Sequence, residues 1–187
     1  MLTAERILIY GVTGSGKSTL CRDLGEKTGL PRHWVDDLTW EPGWVQVPLE
    51  VQRSRIAGIC AGRRWILDSA YSSWVDIPLE SVQLIICLDY PRWLSFGRLL
   101  VRTFARNRDK KEICNGNVES FRNTFSRDSI LLWHFKSFSR RRARMRAMAA
   151  DAASPSAGSP ALLLFKSPRE TASWVRSLPD GDEKLNR

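Results

Sequence analysis

The stretch from Ile7 to Thr19, ILIYGVTGSGKST, constrains this chain more than any other. A short apolar run meets glycines, then a lysine and two hydroxyl residues. The spacing G-x-x-x-x-G-K-[ST] is filled by Gly11, Gly16, Lys17 and Ser18, in a loop made of Gly11, Val12, Thr13, Gly14, Ser15, Gly16, Lys17, Ser18 and Thr19. Glycines let the backbone turn tightly enough for successive N–H groups to point at phosphate oxygens. A helix beginning at Lys17 presents unpaired N–H groups and its positive dipole end to the same anion. Lys17 would reach the β- and γ-phosphates, and Ser18 would give its hydroxyl to Mg²⁺. Ile7–Tyr10 before the loop has the bias of a buried parallel strand, and Leu20 and Leu24 after it lie on a helix. These residues predict a nucleoside triphosphate site.

The rest of the chain bounds the architecture. Its 187 residues suffice for one α/β domain. No apolar run approaches the ~20 residues needed to span a bilayer, and no export signal is recognised at the start. Cys21, Cys60, Cys87 and Cys114 are scattered, which fits reduced thiols in the cytoplasm. His33 and His134 are too far apart to predict a metal cluster. The net charge of +9 is uneven: residues 1–89 carry 9 Lys/Arg against 11 Asp/Glu, and residues 90–187 carry 20 against 9. The second half therefore meets an anion or carries a solvated basic face.

Further strands are expected at His33–Val35, Trp65–Leu67, Val82–Leu88 and Ala161–Phe165, alternating with helices at Glu50–Ala61, Trp93–Phe104, Glu119–Phe138 and Glu170–Leu178. Alternation of this kind predicts a parallel sheet with helices on both faces, wound by right-handed crossovers. Three strands end in aspartates: Asp36 and Asp37, Asp68, and Asp89. One such carboxylate alone is a helix cap; together they offer oxygen ligands for Mg²⁺ near Ser18. Leu38–Pro48 reads as a loop in which Trp40 and Trp44 either pack or meet a substrate.

Arg98 and Arg102, at i and i+4, share a helix face, and Arg106 follows. Asn107–Asn117 lacks apolar periodicity and is expected to be mobile. Arginines flanking such a segment would neutralise a phosphoryl group. Arg140, Arg141, Arg142, Arg144 and Arg146 form a tract that is either a solvated helix face or a contact for nucleic acid. Residues 149–160 read as a flexible loop and 179–187 as a disordered tail.

Four motifs, GVTGSGKST, VDDLTWEPGW at Val35–Trp44, WILDSAYSS at Trp65–Ser73 and LDYPRWL at Leu88–Leu94, carry a resemblance. With LLLFKSPRE at Leu162–Glu170, the chain resembles the P-loop kinases of the adenylate/shikimate kinase type over nearly its full length. Within them it looks most like the adenylate-kinase-like DNA topology modulation group. The resemblance implies a three-layer α/β/α sandwich in residues 1–178, strand order 2-3-1-4-5, and an arginine-bearing helical lid about 103–127. It implies ATP and Mg²⁺, with Lys17, Asp36, Arg98 and Arg102 catalytic and Ser18 on the metal with Asp36 or Asp68 through water. Asp36, Trp40, Trp44, Arg53 and Asp68 would face the acceptor, Arg122 and Arg127 the lid's far side, and Ser167–Glu170 the adenine. Adenylate kinases have Asp-Gly-Phe-Pro-Arg after the third strand; here Asp68-Ser69-Ala70-Tyr71-Ser72 lacks that arginine. A nucleotide or a hydroxyl metabolite is therefore the expected acceptor. The alternative is a nucleotide-switched nucleic-acid binder using Arg140–Arg146.

Overall fold

Strand β1, Arg6–Gly11, is buried at every residue after the first. Covered on both faces, it has no solvent side that must stay polar, hence its unbroken apolar run. The computed structural model describes residues 2–69, 71–109, 112–118, 130–153 and 159–179. After β1 come α1 (Lys17–Thr28), β2 (Arg32–His33), α2 (Val35–Thr39), β3 (Trp40–Glu41), β4 (Val45–Gln46) and α3 (Leu49–Cys60). Then follow β5 (Trp65–Leu67), α4 (Asp76–Leu79), β6 (Leu84–Leu88), α5 (Arg92–Asp109), β7 (Glu112–Ile113) and β8 (Asn117–Val118). The described chain ends with α6 (Ile130–Ala152), β9 (Ala161–Phe165) and α7 (Pro168–Ser177).

The main sheet runs β2-β5-β1-β6-β9, with every pairing parallel. Counting its five strands alone, that is the order 2-3-1-4-5; the two hairpins, β3–β4 and β7–β8, stand outside it. Successive side chains of a strand point to opposite faces. Leu8 and Tyr10 accordingly pack with Ile56, Trp74, Phe138 and Met145, from α3, the approach to α4, and α6. Ile7 and Ile9 pack with Leu20, Leu24 and Leu178, on the side of α1 and α7. This is the expected three-layer α/β/α sandwich, and it puts the loops after β1, β5 and β6 along one sheet edge.

Several boundaries differ from expectation, each for a local reason. The second strand stops at His33, and Val35–Thr39 is helix. The Val35 N–H, fully buried, donates to Asp68 Oδ1 at 2.9 Å, which draws the chain off the sheet. Asp36 and Asp37 thus stand in a first helical turn, where the dipole favours carboxylates, and not at a strand end. The loop expected over Leu38–Pro48 contains the β3–β4 hairpin, with Trp40 opposite Gln46 and Glu41 opposite Val45.

Helix α5 continues past Phe104 to Asp109, and Glu112–Val118 forms β7, a turn and β8, where a mobile stretch was expected. From Ile130 the expected helix and the arginine tract are one helix of 23 residues, which also takes 149–152 from the expected loop. Arginine, alanine and methionine favour helix, and Phe138 and Met145, seven apart, bury on one face of it. Arg122 and Arg127, residues 154–158 and the tail from 180 lie outside the described residues. Among the described residues no helix is long and apolar enough to cross a membrane.

Candidate active site

The loop between β1 and α1 is built on two left-handed glycines, Gly14 at φ 80° and Gly16 at φ 98°. Gly16 caps α1, and among the described residues no side chain caps that helix end. The first N–H groups of α1 are therefore left for an anion. Space also demands glycine: a Cβ on Gly14 would run into the Ser95 carbonyl of α5, and one on Gly11 would lie 2.6 Å from Ser15 Oγ. Ser15 Oγ is itself buried, with no hydrogen-bond partner among the described residues. A buried hydroxyl and uncapped amides around one turn fit a phosphate group.

Five side chains converge beside this loop. Ser18 Oγ donates to Asp68 Oδ2 at 2.7 Å, while Asp68 Oδ1 accepts the Val35 N–H. Asp68 is 6% exposed, and its burial raises the carboxyl above its ordinary range, against the pull of those two bonds and of Lys17. Lys17 Nζ donates to the Val12 carbonyl at 3.1 Å. Burial, and then the Arg141 charge, push its pKa down to about 8, with Asp68 and Asp36 opposing. Asp36, exposed on α2, accepts the Tyr71 hydroxyl at 2.7 Å. Burial, then that carboxylate, drives the phenol upward, so Tyr71 stays a donor. Among the described residues no cluster of three or more His, Cys, Asp or Glu could ligate a metal alone. One hydroxyl and one carboxylate side by side suit Mg²⁺, which keeps most of its waters and takes phosphate oxygens.

Arginines reach the same loop from two helices. From α5, Arg98 Nη1 lies 3.4 Å from the Ser15 carbonyl, with its guanidinium 5.9 Å from the Tyr90 ring centre. Arg102, one turn on, is near enough to Lys17 to lower its pKa. From α6, Arg141 Nη1 lies 3.3 Å from the Gly11 carbonyl. The position of Arg141 was not anticipated beyond its membership of the tract; the signal was helix phase, since Arg141 and Arg142 stand three and four residues from the buried Phe138 and share its face. Tyr71 was likewise seen only as a departure from a motif.

The remaining anticipated residues have partners of their own. Asp89, 3% exposed, accepts Arg142 Nε at 2.7 Å and Arg146 Nε at 3.1 Å; it anchors α6 and is not part of the Ser18–Asp68 pair. Arg53 is spent on Asp76, at 2.6 and 3.1 Å, and on the Ser73 carbonyl. Trp40 and Trp44 meet edge to face, centroids 5.9 Å apart, on the β3–β4 hairpin that α2 runs into. Ser167 and Glu170 cap α7: Ser167 Oγ accepts the Glu170 N–H, and the Glu170 carboxylate accepts the Lys166 N–H.

The scaffold that holds these residues recurs in solved structures. A gluconokinase from Sinorhizobium meliloti 1021 matches with a TM-score of 0.50 at 18% identity, over 96% of this chain and 91% of that one. A shikimate kinase from Bacteroides thetaiotaomicron matches with a TM-score of 0.51 at 14% identity, over 99% of this chain and 100% of that one. No family model matches the sequence, and no curated protein does. At such identities the likeness is one of fold. The chain has the P-loop α/β fold found in shikimate kinase and gluconokinase.

Proposed function

We propose that the chain is an ATP-dependent phosphotransferase acting on the hydroxyl of a small acceptor, with Mg²⁺ as its metal. The observation that carries the reading is the 2.7 Å Ser18–Asp68 contact beside Lys17, with arginines from α5 and α6 turned onto the same loop. Bound Mg²⁺ would neutralise the phosphate oxygens, held by Ser18 with Asp68, or Asp36, through water. Lys17 and the loop amides hold the β- and γ-phosphates. Arg98, Arg102 and Arg141 stabilise charge on the transferred group. Asp36, oriented by Tyr71, takes the proton of the attacking hydroxyl.

A hydroxyl acceptor is favoured over a nucleotide by what the acceptor side offers. Arg53 and Arg55 are tied to Asp76 and Glu41, which leaves the Asp36 carboxylate and the indoles of the adjoining hairpin. Carboxylates accept from hydroxyls, and indole faces cover ring C–H groups. The finer likeness to the topology modulation group rests on the four sequence motifs. Arg141, Arg142 and Arg146 are engaged at Gly11 and Asp89, so the nucleic-acid reading would rest on the other arginines of the tract, Arg140 and Arg144.

The test is a panel of hydroxyl metabolites and nucleoside monophosphates scored for stimulated ADP release. Lys17→Ala is expected to abolish turnover, and Arg102→Ala to lower kcat by about 10²–10³-fold while changing ATP affinity far less. Stimulation by no compound, or unchanged turnover in both variants, contradicts the reading.

A further inference from the structure

Two asparagines on the hairpin after α5 hold the segment that carries Asp36 and the paired tryptophans. Asn117 is 2% exposed. Its Oδ1 accepts the Trp44 N–H at 2.7 Å, and its Nδ2 donates to the Glu41 carbonyl at 3.0 Å and the Cys114 carbonyl at 2.6 Å. Asn115 Nδ2 donates to the carbonyls of Asp37 and Trp40, at 2.8 and 2.7 Å. Every bond is to backbone, and four of the five cross from one hairpin to the segment 37–44. The two amides thus stitch two ribbons of two-residue strands to each other.

The segment they grip is held besides by Thr39, whose hydroxyl donates to the Val35 carbonyl, and by Arg55, which donates to the Leu38 carbonyl and pairs with Glu41; the asparagines add the bonds around its turn. Strands of two residues make a ribbon that is not stable alone. Its turn passes Gly43 at φ 78° and Trp44 at φ 59°, a left-handed conformation that a tryptophan disfavours. The gripping turn shares the trait, with Cys114, Asn115 and Gly116 at φ 43°, 63° and 82°. Asparagine and glycine tolerate that region best, so Asn115 suits both the turn and the bond. Nothing in the five-stranded sheet uses these contacts.

We propose that Asn115 and Asn117 are positioning residues of the acceptor site. They fix the backbone of 37–44, and through it the α2 turn bearing Asp36 and the Trp40–Trp44 pair. Acceptor recognition then depends on a hairpin that continues from the helix of Arg98 and Arg102, so the two sides of the reaction are linked by one stretch of chain. This rests on the phosphotransferase reading above.

Two variants separate the role from folding. Asn115→Gly keeps the left-handed turn and loses the donor. Asn117→Asp keeps the shape and sets a carboxylate oxygen against two carbonyls. With 5-fluorotryptophan incorporated and resonances assigned through Trp40→Phe and Trp44→Phe, both variants should shift or broaden the ¹⁹F signals of Trp40 and Trp44. The signals of Trp65 and Trp74 in the core should stay. With an acceptor from the panel above, its KM should rise about tenfold, with kcat and ATP affinity changing less than about threefold. Unmoved Trp40 and Trp44 signals in both variants overturn the clasp, whatever the turnover. Moved signals with an unchanged acceptor KM overturn the positioning role. Wild-type protein that uses no acceptor overturns the phosphotransferase reading, and the positioning role with it, while the ¹⁹F result still decides the clasp.

Discussion

Lys17 lies between opposing charges. Burial and Arg141 lower its pKa from 10.5 to about 8, and the carboxylates of Asp68 and Asp36 pull the other way. A bound polyphosphate favours the charged amine, so ATP binding must bring a proton with it wherever the free protein has lost one. The sign follows: above pH 8 the free lysine is neutral, binding takes up a proton, and affinity weakens as the pH rises. Calorimetry in buffers of different ionisation heats should find close to one proton taken up per ATP at pH 9 and about a tenth at pH 7. No uptake at pH 9 contradicts the assignment of Lys17 to the phosphates. The lysine itself was legible in the sequence, because the fixed positions of its loop, Gly11, Gly16, Lys17 and Ser18, each have a backbone, charge or hydroxyl requirement that few residue types meet. Tyr71 was not, because its bond to Asp36 joins residues 35 apart, one in the loop after β5 and one on α2. Arg141 was hidden among five arginines, since charge does not reveal which side of a helix faces the site.

Two elements brace the loop from behind. Helix α5 packs its backbone on Gly14, where an added Cβ would meet the Ser95 carbonyl and lie 3.1 Å from Leu99 Cβ. Gly14→Ala combines that collision with φ 80°, and should destabilise by about 2–4 kcal/mol with loss of ATP binding, read by urea unfolding and nucleotide titration. Wild-type stability would show that α5 does not press on the loop. Helix α6 is fixed through Asp89, whose carboxylate takes Arg142 and Arg146 on successive turns. Both arginines keep part of their surface in water, 34% and 58%, so Asp89→Asn should cost about 1–3 kcal/mol and not the full penalty of a stranded buried charge. It should also lower kcat by loosening Arg141; full stability and full kcat together would contradict the anchor. In the sequence, α6 was visible as two pieces because its apolar stripe gives way to arginines that cover apolar surface with their stems. The hairpins were missed because strands of two residues leave no period to read, although Asn115-Gly116 is a turn signal.

At the scale of the molecule, the sheet explains why distant residues meet. Parallel strands joined by crossover connections bring the ends of β1, β5 and β6 to one edge, so residues 18, 36, 68 and 141 become neighbours. That plan was legible early: apolar runs alternated with helices, and the motif at Gly11–Ser18 put the proposed donor site on it. The acceptor side was not, since it is assembled from short hairpins and backbone contacts that residue type does not encode. The central claim is that a phosphoryl group leaves ATP for an acceptor hydroxyl. The direct measurement supplies ATP labelled with ¹⁸O in its γ-phosphoryl oxygens, together with the best acceptor of the panel, and weighs the products. The account predicts a phosphorylated acceptor carrying the label, formed by the wild type and not by Lys17→Ala. Label recovered only in inorganic phosphate, or remaining in ATP, would contradict it.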